Sequence, residues 1–391
     1  MDRRWMLPLP TEHWEGTMTE PIVINATNIG KFIDGLGVYT LNLLREIARM
    51  ETPLRFIMYV NTRCREHLTG ITFPSHCQLR WVSHLVSPDY GFPGHLLRLF
   101  YSNYLSFKHR RSLTFVASQL EAMFFRSNQI ITIHDLIPLL FRKSHKKQYY
   151  YYKYLLPLVL KRARAVVAPS LHTKKMLMAA YGLEENTIHV IHNGVRGSFH
   201  TMVVQHRHDE PYILFTGRLV GMKNFEGLLR AFSLIKDHVP HKLVITGHGT
   251  RRMKRKLQHL RLHDCHIEEG RVVYKGHVSS MEMEELYRRA SLLVFPSFYE
   301  GFGLPPLEGM AHGVPVIVSH VSSLPEVCAD AALYVDPYDI TSIAQAMYRM
   351  LTDAHLRQLL IVKGVERAQQ FRWEESAKKH IELFNGALQP G

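Results

Sequence analysis

Short apolar strand patterns alternate with helical patterns along the chain, and this alternation constrains the fold more than any other feature. The strand patterns lie at residues 22–25, 54–61, 78–84, 113–118, 129–135, 165–170 and 187–192, and then at 212–217, 242–247, 272–276, 292–297, 314–319 and 333–337. Short β-branched or apolar runs bounded by breakers are typical of parallel strands that are buried on both faces. Two successive runs of this kind predict an α/β fold of two doubly wound domains facing each other across a cleft.

The length of the chain and its breakers set the expected domain boundaries. At 391 residues the chain exceeds the usual size of a single core. Residues 198–210 lack clear periodicity and are expected to be a linker. We expect a leader at 1–20, a first domain at 21–199, a second domain at 200–372, and a C-terminal helix at 373–391 that packs back on the first domain. Helical patterns lie at about 38–50, 224–236, 251–262, 280–290, 306–312, 340–352 and 374–386.

The positive charge of the chain is concentrated in its first half. The formal net charge is +14, and residues 1–199 contain 25 Lys and Arg against 13 Asp and Glu. Between Leu136 and Leu183 there are ten basic residues and no acidic one. One interpretation of this stretch is a solvated helical face. The other is that its tyrosine-rich part, 142–164, attracts an anionic membrane surface. No nucleic-acid motif accompanies the charge, so we expect no nucleic-acid partner.

Cysteine spacing and hydropathy bear on the compartment. The four cysteines show no CxxC spacing, so neither a zinc site nor a disulfide framework is indicated, and reduced thiols in the cytosol fit best. Residues 1–20 lack the continuous apolar core of a secretory signal. No apolar run approaches the ~20 residues of a membrane span. We expect a cytoplasmic protein, and the membrane interpretation of 142–164 would place it peripherally at the inner face of the membrane.

The most informative segment is FYEGFGLPPLEGM at 298–310, which follows a strand pattern and should therefore lie at the cleft. Gly301 and Gly303 permit close approach of the backbone to a ligand, and Pro306 suits the first position of a short helix whose N–H groups attract anions. Glu300 and Glu308 can each accept hydrogen bonds from a pair of hydroxyls. A nucleotide sugar has this layout, with a polyol at each end and phosphates between. The alternative is two surface glutamates beside a turn.

Two glycine-containing loops are weaker candidates. Gly217 ends a strand pattern, and Arg218 and Lys223 follow it before a helix, which would suit a diphosphate clamp at the edge of a parallel sheet. Solvated side chains are the alternative. Gly35 and Gly37 come soon after the first strand and would let backbone N–H groups approach a phosphate. This segment is not a dinucleotide fingerprint, since Thr stands at position 40, and by itself it predicts a turn.

One histidine lies where a strand should reach the cleft. His134, followed by Asp135, ends the strand pattern 129–135. A single histidine there more often makes a structural hydrogen bond, and the chain contains 25 histidines, which weakens the evidence from any one of them. The sequence therefore leaves both roles for His134 open.

Taken together, the motifs resemble a known family. The segments DGLGVYTLNLL, IHDLIPLLF, VVAPSLHTKK, IHVIHNGV, FTGRLVGMKN, LLVFPSFYEGFGLPPLEGMAHGVPVIVS and SSLPEVCADAALYVDP occur in its order. The chain resembles, over about 21–385, the retaining GT-B glycosyltransferases of family 4, which include mannosyl-, glucosyl- and rhamnosyltransferases. The E-x7-E spacing of Glu300 and Glu308 is the most specific element. The resemblance implies two Rossmann-like domains and transfer of a hexose from a nucleotide sugar.

The resemblance also implies roles for residues of the second domain. Glu300 would bind hydroxyls of the donor sugar and Glu308 the ribose. Arg218 and Lys223, after Gly217, would neutralise the leaving diphosphate. Backbone N–H groups of the glycine loop would contact the sugar and the diphosphate, namely those of Gly301, Phe302, Gly303 and Leu304.

Further roles concern the opposite side of the cleft and the base. The Gly35–Gly37 loop would close on the diphosphate from the first domain, and His134 would approach the reacting sugar. Main-chain groups of Gly276–Val278, including Val278, would contact the base. These roles follow from the family likeness alone.

The expected reaction is transfer with retention of configuration through a front-face substitution, in which charge stabilisation and positioning dominate. No DxD-type motif appears near the cleft, so we expect neither a metal nor a cofactor beyond the substrate. GDP-mannose is the first choice of donor, with UDP-glucose or another nucleotide hexose as alternatives. The expected acceptor is a saccharide or lipid-linked saccharide. Alternatives of another class are a nucleotide-sugar epimerase and a non-catalytic basic binding protein.

Overall fold

The computed structural model describes residues 20–197, 199 and 210–389. The expected leader at 1–20 and the expected linker at 198–210 therefore lie almost entirely outside the described residues. The first domain contains seven strands: β1 (Ile22–Asn25), β2 (Phe56–Asn61), β3 (Cys77–Val82), β4 (Thr114–Val116), β5 (Gln129–Thr132), β6 (Ala165–Ala168) and β7 (Ile188–Val190). Its helices are α1 (Gly35–Arg49), α2 (Arg65–Leu68), α3 (Gly91–Lys108), α4 (Ile137–Leu140), α5 (Lys146–Tyr150), α6 (Leu156–Leu160) and α7 (Leu171–Tyr181).

The first sheet is parallel, with the order β3-β2-β1-β4-β5-β6-β7. The inner strands β1, β2, β4, β5 and β6 are almost wholly buried because helices cover both faces, whereas the edge strands β3 and β7 are partly exposed. The strand order reverses direction at β1 and β4, so the loops after these two strands diverge. That divergence opens a crevice at the carboxyl edge of the sheet.

The second domain repeats the plan with a six-stranded parallel sheet in the order β10-β9-β8-β11-β12-β13. Its strands are β8 (Tyr212–Thr216), β9 (Lys242–Thr246), β10 (Val272–Gly276), β11 (Leu292–Phe295), β12 (Val316–Ser319) and β13 (Leu333–Val335). Its helices are α8 (Phe225–Ile235), α9 (Arg251–His259), α10 (Ser280–Arg289), α11 (Leu304–Ala311), α12 (Leu324–Cys328), α13 (Ile340–Thr352) and α14 (Ala354–Ala368), and α15 (Trp373–Leu388) follows them in sequence. The switch point lies between β8 and β11, so their loops meet at one crevice.

These two sheets confirm the predicted pair of doubly wound domains. Some details differ from the prediction. The helix expected at 306–312 begins at Leu304, so Pro306 is its third residue and not its first. Helix α14 was not predicted, because Ala354–Ala368 has only a weakly amphipathic pattern. The helix expected at 251–262 ends as an α-helix at His259 and continues as a wider π-turn to Asp264.

Helix α15 lies on the first domain although it follows the second in sequence. Trp373, Ala377 and Phe384 belong to the core formed around β1 and α1. The Tyr39 hydroxyl lies 2.8 Å from His380 Nε2. The chain thus crosses between the domains twice, and the Val195 N–H donates to the Phe371 carbonyl where the two crossings run side by side.

A carboxylate of the second domain also binds a helix of the first. Glu326 accepts the backbone N–H groups of Leu171 (2.8 Å) and His172 (3.1 Å) at the start of α7. Its Oε1 also lies 2.9 Å from His192 Nε2. These hydrogen bonds hold the pKa of Glu326 below its usual value, although burial opposes them. Negative charge is favoured at a helix N-terminus, so this contact draws the domains together.

No helix of the described ranges is long and apolar enough to cross a bilayer. The four cysteines are free and buried.

Candidate active site

The loops that follow β8 and β11 meet at the switch point of the second sheet. The Phe298 N–H of one loop donates to the Met222 carbonyl of the other, at 2.8 Å. Lys223 Nζ lies 2.6 Å from Glu300 Oε1, and both side chains are mostly buried. The structure therefore brings together two predicted site residues that are distant in sequence. They form an ion pair at the crevice.

Local structure fixes the ammonium of Lys223. The residue ends a tight turn at Gly221–Lys223, and Asn224 continues the chain in the left-handed region with φ 54°. The Asn224 side chain caps α8 by accepting the Gly227 N–H, and it donates to the Pro337 carbonyl at 2.7 Å. Lys223 Nζ lies 5.0 Å from the ring centroid of Phe295. The ammonium is thus held over an aromatic face and against a carboxylate.

Hydroxyl groups hold the carbonyls of the glycine loop. The Ser323 hydroxyl lies 3.0 Å from the Glu300 carbonyl oxygen and 2.9 Å from that of Phe302. From the first domain, the Ser170 hydroxyl donates to the Gly301 carbonyl at 2.8 Å, and the Thr173 hydroxyl lies 3.1 Å from the same atom. The Glu300 N–H donates to Ser322 Oγ at 2.9 Å. The loop is therefore rigid, with its carbonyls already paired.

The backbone donors of the same loop have no such partners. The N–H groups of Gly301, Phe302, Gly303 and Leu304 have no acceptor in the part of the chain that the structure describes. Residues 305 and 306 are prolines, so the first turn of α11 presents few other donors. Unpaired N–H groups at a helix N-terminus attract anions and hydroxyl oxygens. Their roles toward sugar and diphosphate stay predictions.

The two loop glycines serve the protein itself as well as any ligand. A Cβ at Gly301 would clash with the His134 carbonyl oxygen of the first domain. The prediction that Gly301 is small to admit a ligand is therefore incomplete, because its missing side chain admits the opposite domain. Gly303 has φ 103°, where L-residues are strained, and a Cβ there would meet Leu324.

Glu308 lies on α11 and accepts a hydrogen bond from the Tyr287 hydroxyl at 2.8 Å. The Tyr287 ring is buried and stacks on His312, with ring centroids 5.3 Å apart. Burial raises the pKa of the Glu308 carboxyl, and the bond from Tyr287 opposes that rise. Tyr287 takes up one carboxylate oxygen, which leaves the other for a ligand. The sequence did not indicate this partner.

Gly217 and Arg218 follow β8 directly. Gly217 has φ 141°, and its carbonyl lies against Gly247 at the end of β9, where a Cβ would clash with it. Arg218 is exposed, and its guanidinium makes no hydrogen bond or ion pair to any described residue. Its charge contributes to lowering the pKa of His145, which belongs to the first domain, although burial is the larger cause. Arg218 thus lies beside the cleft with a guanidinium that no described residue binds, whereas the Lys223 ammonium is paired with Glu300.

His134 and Asp135 follow β5 on the opposite wall. The His134 Nε2 donates to the Ala117 carbonyl at 2.9 Å, and the ring packs edge-on against Tyr39. Burial lowers the pKa of His134 to about 4, so the ring is neutral at pH 7. Burial raises the pKa of Asp135 to about 6, and neighbouring Glu300 raises it further while Lys223 lowers it. Asp135 therefore faces the Lys223–Glu300 pair.

The expected Gly35–Gly37 loop is instead the first turn of α1. Asp34 caps this helix by accepting the Gly37 N–H at 3.1 Å, so that donor is already used. The prediction placed the helix start near residue 38, because glycine usually marks a loop. The cap explains the difference, since an aspartate before a helix stabilises its first turn. Gly35 is exposed, and a Cβ added at this position would have no neighbour within 4 Å.

Val278 lies in the turn between β10 and α10, and its partly buried side chain packs against the apolar core of the second domain. The same turn meets the first domain, because the ring of His277 contacts Phe32 edge-on, with ring centroids 5.3 Å apart. The turn therefore lies at one end of the cleft. The contact of Val278 with a base stays a prediction.

Within the described residues, no group of three or more His, Cys, Asp or Glu side chains is arranged to hold a metal ion. The strip at the switch point combines a carboxylate with a cation at Glu300, unpaired N–H donors at Gly301–Leu304, an exposed guanidinium at Arg218, and a second carboxylate at Glu308. Its order, acceptor then donors then acceptor, suits an anion flanked by hydroxyl-bearing groups.

Sequence reasoning missed the residues that support this strip. Ser322 and Ser323 lie in the SSLPEV segment, which carried part of the family resemblance, and their hydroxyls hold the glycine loop. Ser170 and Thr173 lie in the APSLHT segment and act from the other domain. Small hydroxyl residues next to a strand end were the available signal. Tyr287 had none.

Two doubly wound domains joined by a crossing helix, with a binding strip at the second switch point, define the GT-B architecture. Solved structures share it at low sequence identity. The sucrose-phosphate synthase of Thermosynechococcus elongatus matches with a TM-score of 0.74 and 20% identity, over 94% of this chain and 99% of that one. Anabaena HepE in complex with UDP-glucose matches with a TM-score of 0.69 and 14% identity, over 94% of this chain and 99% of that one.

Family models match both domains. The model described as Glycosyltransferase Family 4 matches residues 33–198, and the model described as Glycosyl transferases group 1 matches residues 200–367. The chain therefore belongs to this glycosyltransferase family. It is 37% identical over 175 residues to the O-antigen chain mannosyltransferase B of Escherichia coli, covering 44% of this chain and 45% of that one. The chain spans about half the length of the curated relatives it matches.

Proposed function

We propose that the chain is a retaining glycosyltransferase that moves a hexose, first of all mannose, from a nucleotide sugar to a saccharide or lipid-linked saccharide. The observation that carries the proposal is the pairing of Lys223 with Glu300 at the second switch point. A cation and a carboxylate held together beside unpaired N–H groups suit the junction between a diphosphate and a sugar. Family membership agrees with this chemistry.

In the proposed complex, each group of the strip has one task. Glu300 accepts hydroxyls of the transferred sugar, while Lys223 and Arg218 neutralise the departing diphosphate. The N–H groups of the glycine loop bind the oxygens between them, and Glu308 accepts the ribose hydroxyls. Leaving-group stabilisation by such preorganised donors is worth about 3–4 kcal/mol each.

Retention is proposed to proceed on one face of the sugar. The departing phosphate oxygen takes the proton of the acceptor hydroxyl as the new glycosidic bond forms and the bond to phosphate breaks. Asp135 is the candidate for a covalent nucleophile, and burial raises its pKa to about 6. The family resemblance does not support that role, so no covalent intermediate is proposed. A neutral His134 contributes shape and backbone contacts near the sugar and not charge. No metal is proposed for this chemistry.

GDP-mannose is the proposed donor, because the relative at 37% identity is named a mannosyltransferase. UDP-glucose is the second candidate, since HepE has been solved with that molecule. The proposed acceptor is carried at the inner face of the membrane. Exposed lysines and arginines within 142–164, among them Arg142 stacked on Tyr149, suit an anionic surface.

Donor identity is tested by measuring the thermal shift of the purified chain with a panel of nucleotide sugars, followed by release of free nucleotide. GDP-mannose is expected to give the largest rise in unfolding temperature. It is also expected to be hydrolysed slowly, which releases GDP. A larger shift with UDP-glucose would reassign the donor but keep the reaction class. Conversion of a nucleotide sugar to its epimer without nucleotide release would support an epimerase. Binding of no nucleotide sugar would overturn the proposal.

A further inference from the structure

Helix α3 has an inverted polarity. Its buried positions hold Gly94, Arg98, Ser102, Leu105 and Ser106. Its opposite side, here called the outer face of α3, exposes a row of large apolar side chains: Phe92, Leu96, Leu97, Phe100, Tyr104 and Phe107. Phe100 is 74% exposed and Phe107 is 79% exposed. Surface helices usually bury the apolar side and expose the polar one, so this outer face needs an apolar partner.

A buried ion pair fixes the orientation of the helix. Arg98 Nε donates to Glu121 Oε1 at 2.9 Å, and both side chains are almost completely buried. The Arg98 guanidinium also donates to the Val86 carbonyl at 3.2 Å. Rotating α3 to bury its phenylalanines would break this pair and leave a charge unpaired in the interior, which is strongly unfavourable. The outward direction of the apolar row is therefore built into the fold.

A neighbouring loop extends the apolar surface. The Phe124 N–H donates to Asn103 Oδ1 at 2.9 Å, and the Arg126 guanidinium donates to the Ser106 carbonyl at 2.9 Å. Both acceptors belong to α3. Between these two anchors the Phe125 side chain is 88% exposed. A phenylalanine fixed in solvent by hydrogen bonds on both sides extends the outer face of α3.

Basic residues border this surface. No Asp or Glu occurs between residues 90 and 120. At the C-terminal end of α3 lie exposed Lys108, Arg110 and Arg111. Beside its N-terminal end, Lys147 Nζ lies 4.1 Å from the centroid of the Phe92 ring, which connects the outer face to the basic segment 142–164. The surface is thus apolar in the middle and positive at both ends.

We propose that the outer face of α3, together with Phe125, inserts into the surface of a bilayer that contains anionic lipid. An apolar row with lysines and arginines at its edges is the arrangement of helices that lie in the membrane interface. The positive border selects the anionic headgroups. A second copy of this chain fits less well, because it would bring an equally positive border against the first.

The docked orientation bears on the cleft. Asp89, just before α3, accepts the Lys31 N–H at 2.9 Å and so holds the loop that leads to α1. Phe32 of that loop contacts His277 of the second domain, at one end of the cleft. A bilayer on the outer face of α3 therefore lies near an entrance to the cleft. Delivery of a lipid-linked acceptor from that bilayer is the one step that rests on the proposed function.

Vesicle binding tests the surface. The whole chain is mixed with phosphatidylcholine vesicles, with or without phosphatidylglycerol, and the bound fraction is measured by co-sedimentation. Wild type is expected to bind the anionic vesicles and to be partly released by salt. Phe100→Ser with Phe107→Ser should weaken binding about tenfold or more, because two exposed rings no longer enter the interface. The matched control is Leu234→Ser with Leu359→Ser, which removes exposed apolar side chains from the second domain and should bind like wild type.

Folding and function are followed separately. All variants are expected to keep the wild-type unfolding midpoint, since the changed side chains are exposed. Undiminished vesicle binding by the α3 variant, or no binding by wild type, would overturn the proposal. So would self-association of wild type that depends on Phe100 and Phe107. Nucleotide release measured without vesicles distinguishes the two proposals: vesicle binding without any turnover keeps the docking surface and removes the proposed function.

Discussion

Lys223 Nζ and Glu300 Oε1 lie 2.6 Å apart, although the two residues are 77 positions apart in sequence. Their loops follow β8 and β11, the two strands that border the switch point. Because the Lys223 ammonium and the Glu300 carboxylate pair with each other, both groups already have a partner before a ligand binds. A donor would insert its diphosphate beside Lys223 and its sugar hydroxyls beside Glu300. Lys223 and Glu300 would then weaken their ion pair while each forms hydrogen bonds with the donor.

Replacing Lys223 should therefore affect both turnover and folding, whereas replacing Arg218 should affect turnover alone. Lys223→Ala leaves Glu300 mostly buried without its cation, at a cost of about 1–3 kcal/mol in the free energy of unfolding. Arg218→Ala removes an exposed side chain without hydrogen bonds and should leave the unfolding midpoint unchanged. Both should lower kcat about a hundredfold or more, because each removes positive charge from the leaving diphosphate. Chemical denaturation and nucleotide-release kinetics measure the two effects.

The double variant Lys223→Met with Glu300→Gln provides the matched control. It removes both charges, keeps the packing against Phe295, and should recover most of the lost stability while staying inactive. Near-normal kcat in Arg218→Ala or Lys223→Ala would remove the diphosphate clamp from the mechanism. Equal destabilisation by the two single changes would show that the ion pair does not support the fold.

Much of the architecture was predictable because it follows from local pattern. The strands of both sheets are short apolar runs between breakers, and residue 298 onward had to lie at the crevice because it follows β11. The switch-point position of the 298–310 segment was therefore implicit in the order of strands and helices. The helix α1 start was missed because Asp34 overrides the loop tendency of Gly35 and Gly37.

Other features depend on contacts between distant segments, which no local pattern encodes. The carbonyl of His134 requires glycine at 301, yet the two belong to different domains. The tyrosine that binds Glu308 comes from α10, on a neighbouring strand connection. No helix was predicted at α3, and its apolar periodicity would imply the wrong buried side, because the buried partner of Arg98 is a glutamate from another loop.

Removing one hydroxyl should test the role of Glu308. Tyr287→Phe deletes the 2.8 Å bond to Glu308 Oε2 without changing the ring that stacks on His312. The carboxylate loses its orientation, so KM for the donor should rise about tenfold while kcat changes less. The bond from Tyr287 lowers the pKa of Glu308, so its loss should raise that pKa. Below the pKa the protonated carboxyl accepts hydroxyls poorly, and the acid limb of the kcat/KM profile should move to higher pH.

The pH profile contains the decisive comparison for Tyr287→Phe. His312→Asn serves as the control, because it alters the stacking partner of Tyr287 but leaves the hydroxyl bond to Glu308 in place. It should leave the acid limb where wild type has it. An unmoved acid limb in Tyr287→Phe would mean that Glu308 does not bind the donor in its charged form.

A single methyl group at position 301 should separate the domains. In Gly301→Ala the new Cβ meets the His134 carbonyl oxygen, which is backbone and cannot move away. The hydrogen bonds from Ser170 and Thr173 to the Gly301 carbonyl should weaken as the wall shifts. We expect at least a tenfold loss of kcat/KM and faster amide hydrogen exchange at the start of α7. Gly386→Ala on α15, where a Cβ meets nothing within 4 Å, should keep activity and slightly raise stability. Wild-type exchange and kinetics in Gly301→Ala would disprove the tight contact.

Mild acid should destabilise the folded chain through two buried histidines. Burial lowers the pKa of both His134 and His380 from 6.5 to about 4. The unfolded state therefore binds more protons between these values, so their stabilising effect is complete above about pH 6.5 and is lost as pH falls toward 4. Each contributes up to roughly 3 kcal/mol. Asp135 works in the opposite direction, because its raised pKa favours the folded state in acid.

The variant His380→Gln isolates one of these contributions. Its side chain stays neutral at every pH, so the unfolding midpoint should fall less steeply between pH 6.5 and 4 than that of wild type. At pH 7 it should be less stable than wild type, since the bonds of His380 to the Tyr39 hydroxyl and the Ser376 carbonyl are altered. Urea denaturation across this pH range measures both effects. Parallel curves for the two proteins would mean that His380 is not the group that titrates, because a buried neutral imidazole must take up a proton when the chain unfolds in acid.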